Sequence, residues 1–211
     1  MFYAKQGSIP NKRHTQHRDN DGSLFFEEHI SREGFSSMYS NVYHHRMPTE
    51  ISDIGNFDEI IHIKEKGKHK NRHYFTKKLK ISGDAVDSRR LLLFNEDLLI
   101  YKLNINKSMD CVYRNSHFDE LFYIQSGKAN FSSNFGSIEL FPGDYLVIPK
   151  GVIWKIDIEN NLSCMLLESR GPIEIPNKYR NKFGQLMEHA PFCERDIIIP
   201  ELQKPIHESD I

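Results

Sequence analysis

Cysteine is scarce in this chain: Cys111, Cys164 and Cys193 are the only three in 211 residues, and no Cys-x-x-Cys pair occurs. An odd, scattered set disfavours both a disulfide-stapled secreted fold and a thiolate metal site, so a reduced, cytoplasmic setting is expected. Charge of one sign is lacking as well. Twenty-eight Lys and Arg are balanced by 29 Asp and Glu, for a net charge of -1, which removes the positive field that would draw a chain onto nucleic acid or anionic lipid. The basic stretch at residues 64–73 is accordingly read as a solvated hairpin loop. Long hydrophobic runs are missing too: residues 91–94 typify the purely apolar segments, far short of the roughly 20 residues that a membrane helix needs. Residues 1–10 contain Lys5 and no apolar core of signal-peptide length, so no membrane association and no targeting segment are expected. No internal repeat is visible.

What is present is aromatic and β-prone. Fourteen Phe and nine Tyr, with 38% apolar and 27% charged residues, fit a folded globular domain with a real core. Between Arg90 and Ser169 eight short apolar-rich segments recur, at residues 91–94, 98–103, 121–125, 129–132, 137–141, 145–148, 154–158 and 164–167. Turn residues divide them: Asn95-Glu96-Asp97, Ser126-Gly127, Asn134-Phe135-Gly136, Pro142-Gly143-Asp144, Lys150-Gly151 and Asn160-Asn161. Gly and Asn tolerate positive φ there, and Pro presets the first turn position. Close spacing with few helical stretches predicts an all-β sandwich or barrel. Two further β-prone runs are expected at residues 57–63 and 74–81. Residues 1–56 carry aromatics without a sustained period and are read as an extended arm packing on the barrel or a neighbouring subunit. Residues 57–170 form the barrel, and residues 171–211 an irregular segment leading towards a further half, with a short turn of helix expected near residues 183–188.

Two spacings narrow the barrel class. In Asp119-Glu120-Leu121-Phe122-Tyr123-Ile124-Gln125-Ser126-Gly127 a Glu stands seven residues before a turn Gly, and Gly143, Pro149 and Gly151 make a Gly-x5-Pro-x-Gly frame. Together they resemble the two motifs of the cupin superfamily, which implies a cupin-like jelly-roll barrel. Metal-holding cupins use two His and a Glu on the first motif and a His on the second, a donor set suited to Fe(II). Here the two His positions fall on Ser116 and Arg114 in one register, or on Asn115 and Tyr113 in the other, and the last falls on Trp154, whose indole only donates. Glu120 alone survives. The expectation is a plugged barrel in which Arg114 pairs with Glu120 and Trp154 fills the rest, with no residue assigned as catalytic, cofactor-binding or metal-binding. His117 beside Asp119 is read as hydrogen-bonding or solvent-facing, while the pair His14 and His17 and the adjacent His44 and His45 lack a convergent third ligand and are read as packing or subunit-contact residues. Cys193, without a His and acid partner, is read as a buried thiol.

Outside the barrel the chain resembles the homogentisate 1,2-dioxygenases, the shorter bacterial type in particular. The resemblance rests on Gly7-Ser8-Ile9-Pro10-Asn11-Lys12-Arg13-His14-Thr15-Gln16, Asp21-Gly22-Ser23-Leu24, Glu33-Gly34-Phe35-Ser36 and Tyr43-His44-His45-Arg46-Met47-Pro48-Thr49. It resumes at Arg170-Gly171-Pro172, at Tyr179-Arg180-Asn181-Lys182-Phe183-Gly184-Gln185-Leu186 and at Glu188-His189-Ala190-Pro191-Phe192-Cys193-Glu194-Arg195-Asp196-Ile197. Members of that family have two cupin-like halves and open the homogentisate ring with O2 to maleylacetoacetate in tyrosine and phenylalanine breakdown. Their Fe(II) is held by two His and one Glu of the C-terminal half. The resemblance therefore implies that this chain is the structural N-terminal half, that its partners are the C-terminal catalytic half and further subunits of an oligomer, and that this chain itself binds no iron. The competing expectation is a metal-free cupin module holding a small ligand between Arg114, Glu120 and Trp154. A cupin isomerase with a His base has no His at a defensible barrel position.

Overall fold

A computed structural model describes residues 11–12, 14–31, 34–36, 39–56, 70–71 and 73–203. Eleven strands are formed among them. The strand run expected at residues 57–63 and most of the loop expected at 64–73 lie outside the described residues. Among the described residues no helix is long and apolar enough to cross a membrane.

The barrel is a jelly roll of two facing antiparallel sheets. One has the order β3 (Arg90–Phe94), β4 (Leu98–Ile105), β11 (Leu162–Ser169), β6 (Asp119–Ser126) and β9 (Tyr145–Ile148). The other has the order β5 (Tyr113–Arg114), β10 (Ile153–Ile158), β7 (Ala129–Ser133) and β8 (Gly136–Leu140). All eight segments expected between Arg90 and Ser169 are strands. Their alternation is visible in burial: along β11, Leu162, Cys164, Leu166 and Glu168 point into the barrel, while Ser163, Met165, Leu167 and Ser169 are half-exposed, the period of two that a pleated strand imposes. Phe122, Ile124, Leu103, Leu146 and Ile148 of the first sheet meet Trp154, Ile156, Phe131 and Leu140 of the second in one core.

The turn glycines differ in what they are needed for. Gly127 has φ +91°, and a Cβ there would lie 2.4 Å from the Asn161 carbonyl oxygen and 2.9 Å from Leu162 Cα, so the β10–β11 turn packs directly against its backbone. Gly143 also has a positive φ, +99°, but nothing lies within 4 Å of its missing Cβ. Gly127→Ala should therefore lower the unfolding free energy by about 3 kcal/mol, from the left-handed backbone and a backbone clash together. Gly143→Ala should cost about 1–2 kcal/mol, the backbone part alone. Urea midpoints for the two variants measure the difference, and equal losses would contradict it.

Three expectations are corrected. Residues 74–81 hold no strand: Thr76–Lys78 form a single 3-10 turn, and among the described residues no strand pairs with this run to complete a ladder. Residues 183–188 hold no helix. Asn181 Oδ1 accepts from the backbone N–H of Phe183 and Gln185, Gly184 takes φ +85°, and Arg180 bridges to Leu186, closing a reverse turn instead. The N-terminal stretch, read as aperiodic, contains the antiparallel hairpin β1 (Phe26–Ser31) and β2 (Tyr39–His44). Its cross-strand pairs are polar and aromatic rather than apolar: Tyr43 donates to Glu27 at 2.7 Å, His44 meets Glu28 at 2.9 Å and His29 meets Asn41 at 3.2 Å. Such pairs stabilise a sheet without leaving a hydrophobic period in the sequence.

Candidate functional site

The barrel interior holds a buried ionic cluster. Register sets its frame: Glu120 of β6 lies directly opposite Glu168 of β11, so two carboxylates share one low-dielectric space. Both are buried, with side-chain exposures of 1% and 6%. A cation is needed between them, and Arg89 supplies it. Its Nη2 stands 2.8 Å from Glu120 Oε1 and its Nη1 donates to Glu168 Oε1 at 2.6 Å. The Nη2 contact is a charge contact without an aligned hydrogen bond. Arg89 Nε donates to the Ala85 carbonyl at 3.2 Å, and the guanidinium lies 4.9 Å from the Tyr113 ring centre, a cation–π distance.

Local sequence delivers Arg89 to this place. Asp84 Oδ1 accepts from the backbone N–H of Val86 and Asp87, and Ser88 N–H donates to the Asp84 carbonyl. The Asp side chain thus winds residues 84–88 into a turn immediately before β3. Neutral donors also engage both carboxylates. Trp154 Nε1 donates to Glu120 Oε2 at 3.0 Å, Tyr101 Oη donates to Glu168 Oε2 at 3.0 Å, and Asn115 Nδ2 donates to Glu168 Oε1 at 3.1 Å. Tyr113 and Phe122 meet the Trp154 indole edge-on at 5.3 and 5.7 Å, and Phe131 lies at 6.2 Å.

The electrostatics follow from this packing. Burial works against the charge of Arg89, but Glu120 and Glu168 outweigh it and hold the guanidinium above its ordinary value. Burial pushes the Glu120 carboxyl up from the usual carboxylate range, and Arg89 pulls it only part of the way back. Burial, then Glu168, raises the Tyr101 phenol. Cys164, also inside the barrel, has its thiol pushed up by burial to about 12, so it is inert packing at neutral pH.

A metal ion does not fit this arrangement. Glu120, the one cupin ligand position that keeps a donor, has its two oxygens against Arg89 and Trp154. A divalent cation would have to displace a buried guanidinium and would meet an indole N–H, which donates and cannot coordinate. Arg114, expected to pair with Glu120, instead reaches Glu28 of the β1–β2 hairpin at 3.0 Å. Two-residue β5 is paired to the edge of β10 at Ile153 and Trp154, and the alternation of its side chains aims Tyr113 at Trp154 and Arg114 at the hairpin. Arg89 is the residue that sequence reasoning missed. It lies outside both motifs, and the signal that could have found it is the Asp84 turn ahead of β3. Arg114, Glu120 and Trp154 therefore do not enclose a common ligand space. Two clefts, of about 340 and 190 Å³, lie elsewhere, the first against residues 186–196 and the second against Lys128, Leu140 and Glu159.

The other candidate residues separate. His117 is exposed. His17 lies tilted against Tyr43 with ring centres 4.4 Å apart, His45 faces Asp19 at 3.4 Å, and His44 faces Glu28, so the adjacent histidines at the end of β2 point to different partners. His14 is exposed. Cys193, read as a buried thiol, is only half-buried. It begins a 3-10 turn in which Asp196 Oδ2 accepts from its backbone N–H at 3.0 Å, a local bond that keeps it at the surface.

The family model described as "Homogentisate 1,2-dioxygenase N-terminal" matches residues 66–185. A protein of Saccharolobus solfataricus whose given name proposes a dioxygenase is 37% identical over 205 residues, covering 96% of this chain and 53% of its own length. The chain thus spans about half the length of that curated relative. Among solved structures, a cupin-2 domain containing protein from Shewanella frigidimarina is 24% identical with TM-score 0.36, covering 39% of this chain and 80% of its own. KdgF from Halomonas sp. is 15% identical with TM-score 0.41, covering 49% and 96%. The chain belongs to the homogentisate 1,2-dioxygenase N-terminal family.

Proposed function

We propose that this chain is the structural, non-catalytic N-terminal half of a homogentisate 1,2-dioxygenase-like enzyme. Ring opening of homogentisate to maleylacetoacetate by Fe(II) and O2 belongs, on this reading, to a C-terminal cupin half. The observation that carries the proposal is the clamp of Arg89 and Trp154 on Glu120, which fills the place where a working cupin would hold its metal. The family match and the half-length coverage of the relative support the same division of labour.

The test is iron retention. Purified chain exposed to Fe(II) without oxygen and then desalted should keep no stoichiometric iron. Trp154→His should also keep none, because Arg89 still covers Glu120. Stoichiometric iron that is lost in Glu120→Ala would overturn the proposal.

A further inference from the structure

Residues 171–203, which follow the barrel, carry 3-10 turns and isolated bridges but no regular strand. Loops longer than about 15 residues without elements of their own are uncommon in a compact domain unless they serve a function. This one is fastened at both ends. At its start Asp119, only 2% exposed, accepts from Lys150 N–H at Oδ1 and from Ile173 N–H at Oδ2, each at 2.9 Å. Asp119 neighbours Glu120 in the first motif, and Lys150 lies between Pro149 and Gly151 of the second, so one buried carboxylate ties both motifs to the outgoing chain. At its end Glu201 bridges to Ser137 on the edge strand β8, and its backbone lies against Gly136. A Cβ on Gly136 would run into the Glu201 carbonyl oxygen and come within 2.7 Å of the carbonyl carbon. Between the anchors the segment folds on itself. Met187 N–H donates to the Tyr179 carbonyl at 2.9 Å, Arg180 pairs with Glu174 at 3.5 Å, and the Tyr179 ring meets His189 and Phe192 edge-on at 6.2 and 6.4 Å.

We infer that Asp119 and Gly136 are positioning residues: they hold residues 171–203 as a rigid strut, and this strut fixes where a following cupin half stands against the barrel. The inference rests on the reading of this chain as the first of two halves. A flexible linker leaves two domains free to reorient, which is the default for domains joined by exposed chain with few contacts. Here the anchors lie on different sheets, Asp119 on β6 of the five-stranded one and Gly136 on β8 of the four-stranded one. The strut therefore crosses from one sheet to the other and cannot swing about either end alone. Each anchor uses a residue suited to it. Burial of the Asp119 side chain is tolerated because both of its oxygens are bonded, and the missing side chain at Gly136 lets two backbones touch.

The test joins the full 211-residue chain to the C-terminal half of a family member and measures the distance between the halves. One spin label sits on the exposed Cys111, in a Cys193→Ser background, and a second in the joined half. The parent fusion should show one narrow distance. Gly136→Ala should broaden that distribution by about twofold or more, because the Glu201 backbone has to move away. Asp119→Asn, which gives up one of two acceptors, should broaden it as well, and decides alone if Gly136→Ala fails to fold. Gly151→Ala is the control: its φ is also positive, +88°, but nothing lies within 4 Å of its missing Cβ, so the distance should stay narrow. A loss of stability by itself does not broaden the distance between halves that remain folded, and circular dichroism checks that they do. Hydrogen exchange in the 211-residue chain gives a second readout, with the Ile173 amide exchanging about 10-fold or more faster in Asp119→Asn. A broad distance in the parent fusion, a narrow one in both variants, or unchanged exchange at Ile173 would each overturn the inference. Failure of the two-half reading looks different: a fusion with one narrow distance that takes up no O2 with homogentisate.

Discussion

Arg89→Met should be the most damaging single substitution in the barrel, lowering stability by about 3–5 kcal/mol. The reason lies in what it leaves behind. Glu120 and Glu168 face each other across β6 and β11 with almost no solvent contact, and Arg89 is the cation that forms an ion pair with both. Without it, two carboxylates share a buried site with only neutral donors from Trp154, Tyr101 and Asn115. One of them must take a proton or the barrel must open. The pH dependence gives the sign. Burial already raises the Glu120 carboxyl in the folded state, and removing Arg89 takes away the group that pulls it down. A carboxyl with a folded pKa above its unfolded one contributes stability at low pH that is lost as pH rises through the folded value. Arg89→Met should therefore be more stable in urea at pH 5 than at pH 8. Adding Glu120→Gln and Glu168→Gln should recover most of the loss and flatten that dependence, because the unpaired charges are then gone. A loss below about 1 kcal/mol, the range of a surface pair, would show that the cluster is solvated rather than buried.

The jelly roll was legible because its signals are local. Short apolar-rich segments such as residues 164–167 and the positive-φ turns at Gly127, Gly136, Gly143 and Gly151 are set within a few residues, and seven-residue spacing from Glu120 to Gly127 places the first motif. Trp154 as the plug was legible for the same reason, since its position follows from Gly151 by counting. Arg89 was not. Its partners are Glu120 and Glu168, which are remote in sequence and are brought together only by the pairing of β6 with β11. Arg114 was the nearer cation in sequence, but β5 turns it towards Glu28. The hairpin β1–β2 was hidden for a different reason: pairs such as Tyr43 with Glu27 and His44 with Glu28 stabilise it through polar contacts, which leave no apolar period to count. The run at residues 74–81 erred in the opposite direction, having strand composition without a strand to pair with among the described residues.

On the proposed division of labour, the largest functional effect should come from joining a C-terminal cupin half to this chain. Ring cleavage with O2 needs a redox-active metal with open positions that brings substrate and oxygen together. In this barrel the corresponding space is taken by the Arg89 guanidinium, the Trp154 indole and the phenyl rings packed on it. The isolated chain should then be inert with homogentisate. A fusion to the C-terminal half of a family member should turn over at a rate typical of enzymes, about 1–1000 per second, provided residues 171–203 carry the chain correctly from the barrel. That segment is tied down at defined points: Ile173 N–H donates to Asp119 Oδ2 at 2.9 Å, and Glu201 bridges to Ser137 at the start of β8. The decisive measurement is oxygen uptake with homogentisate, Fe(II) and ascorbate, read together with the absorbance of the ring-opened product. The account predicts uptake at the buffer-and-iron background for the 211-residue chain and iron-dependent turnover for the fusion. Iron-dependent turnover by the 211-residue chain alone, above that background, would contradict it.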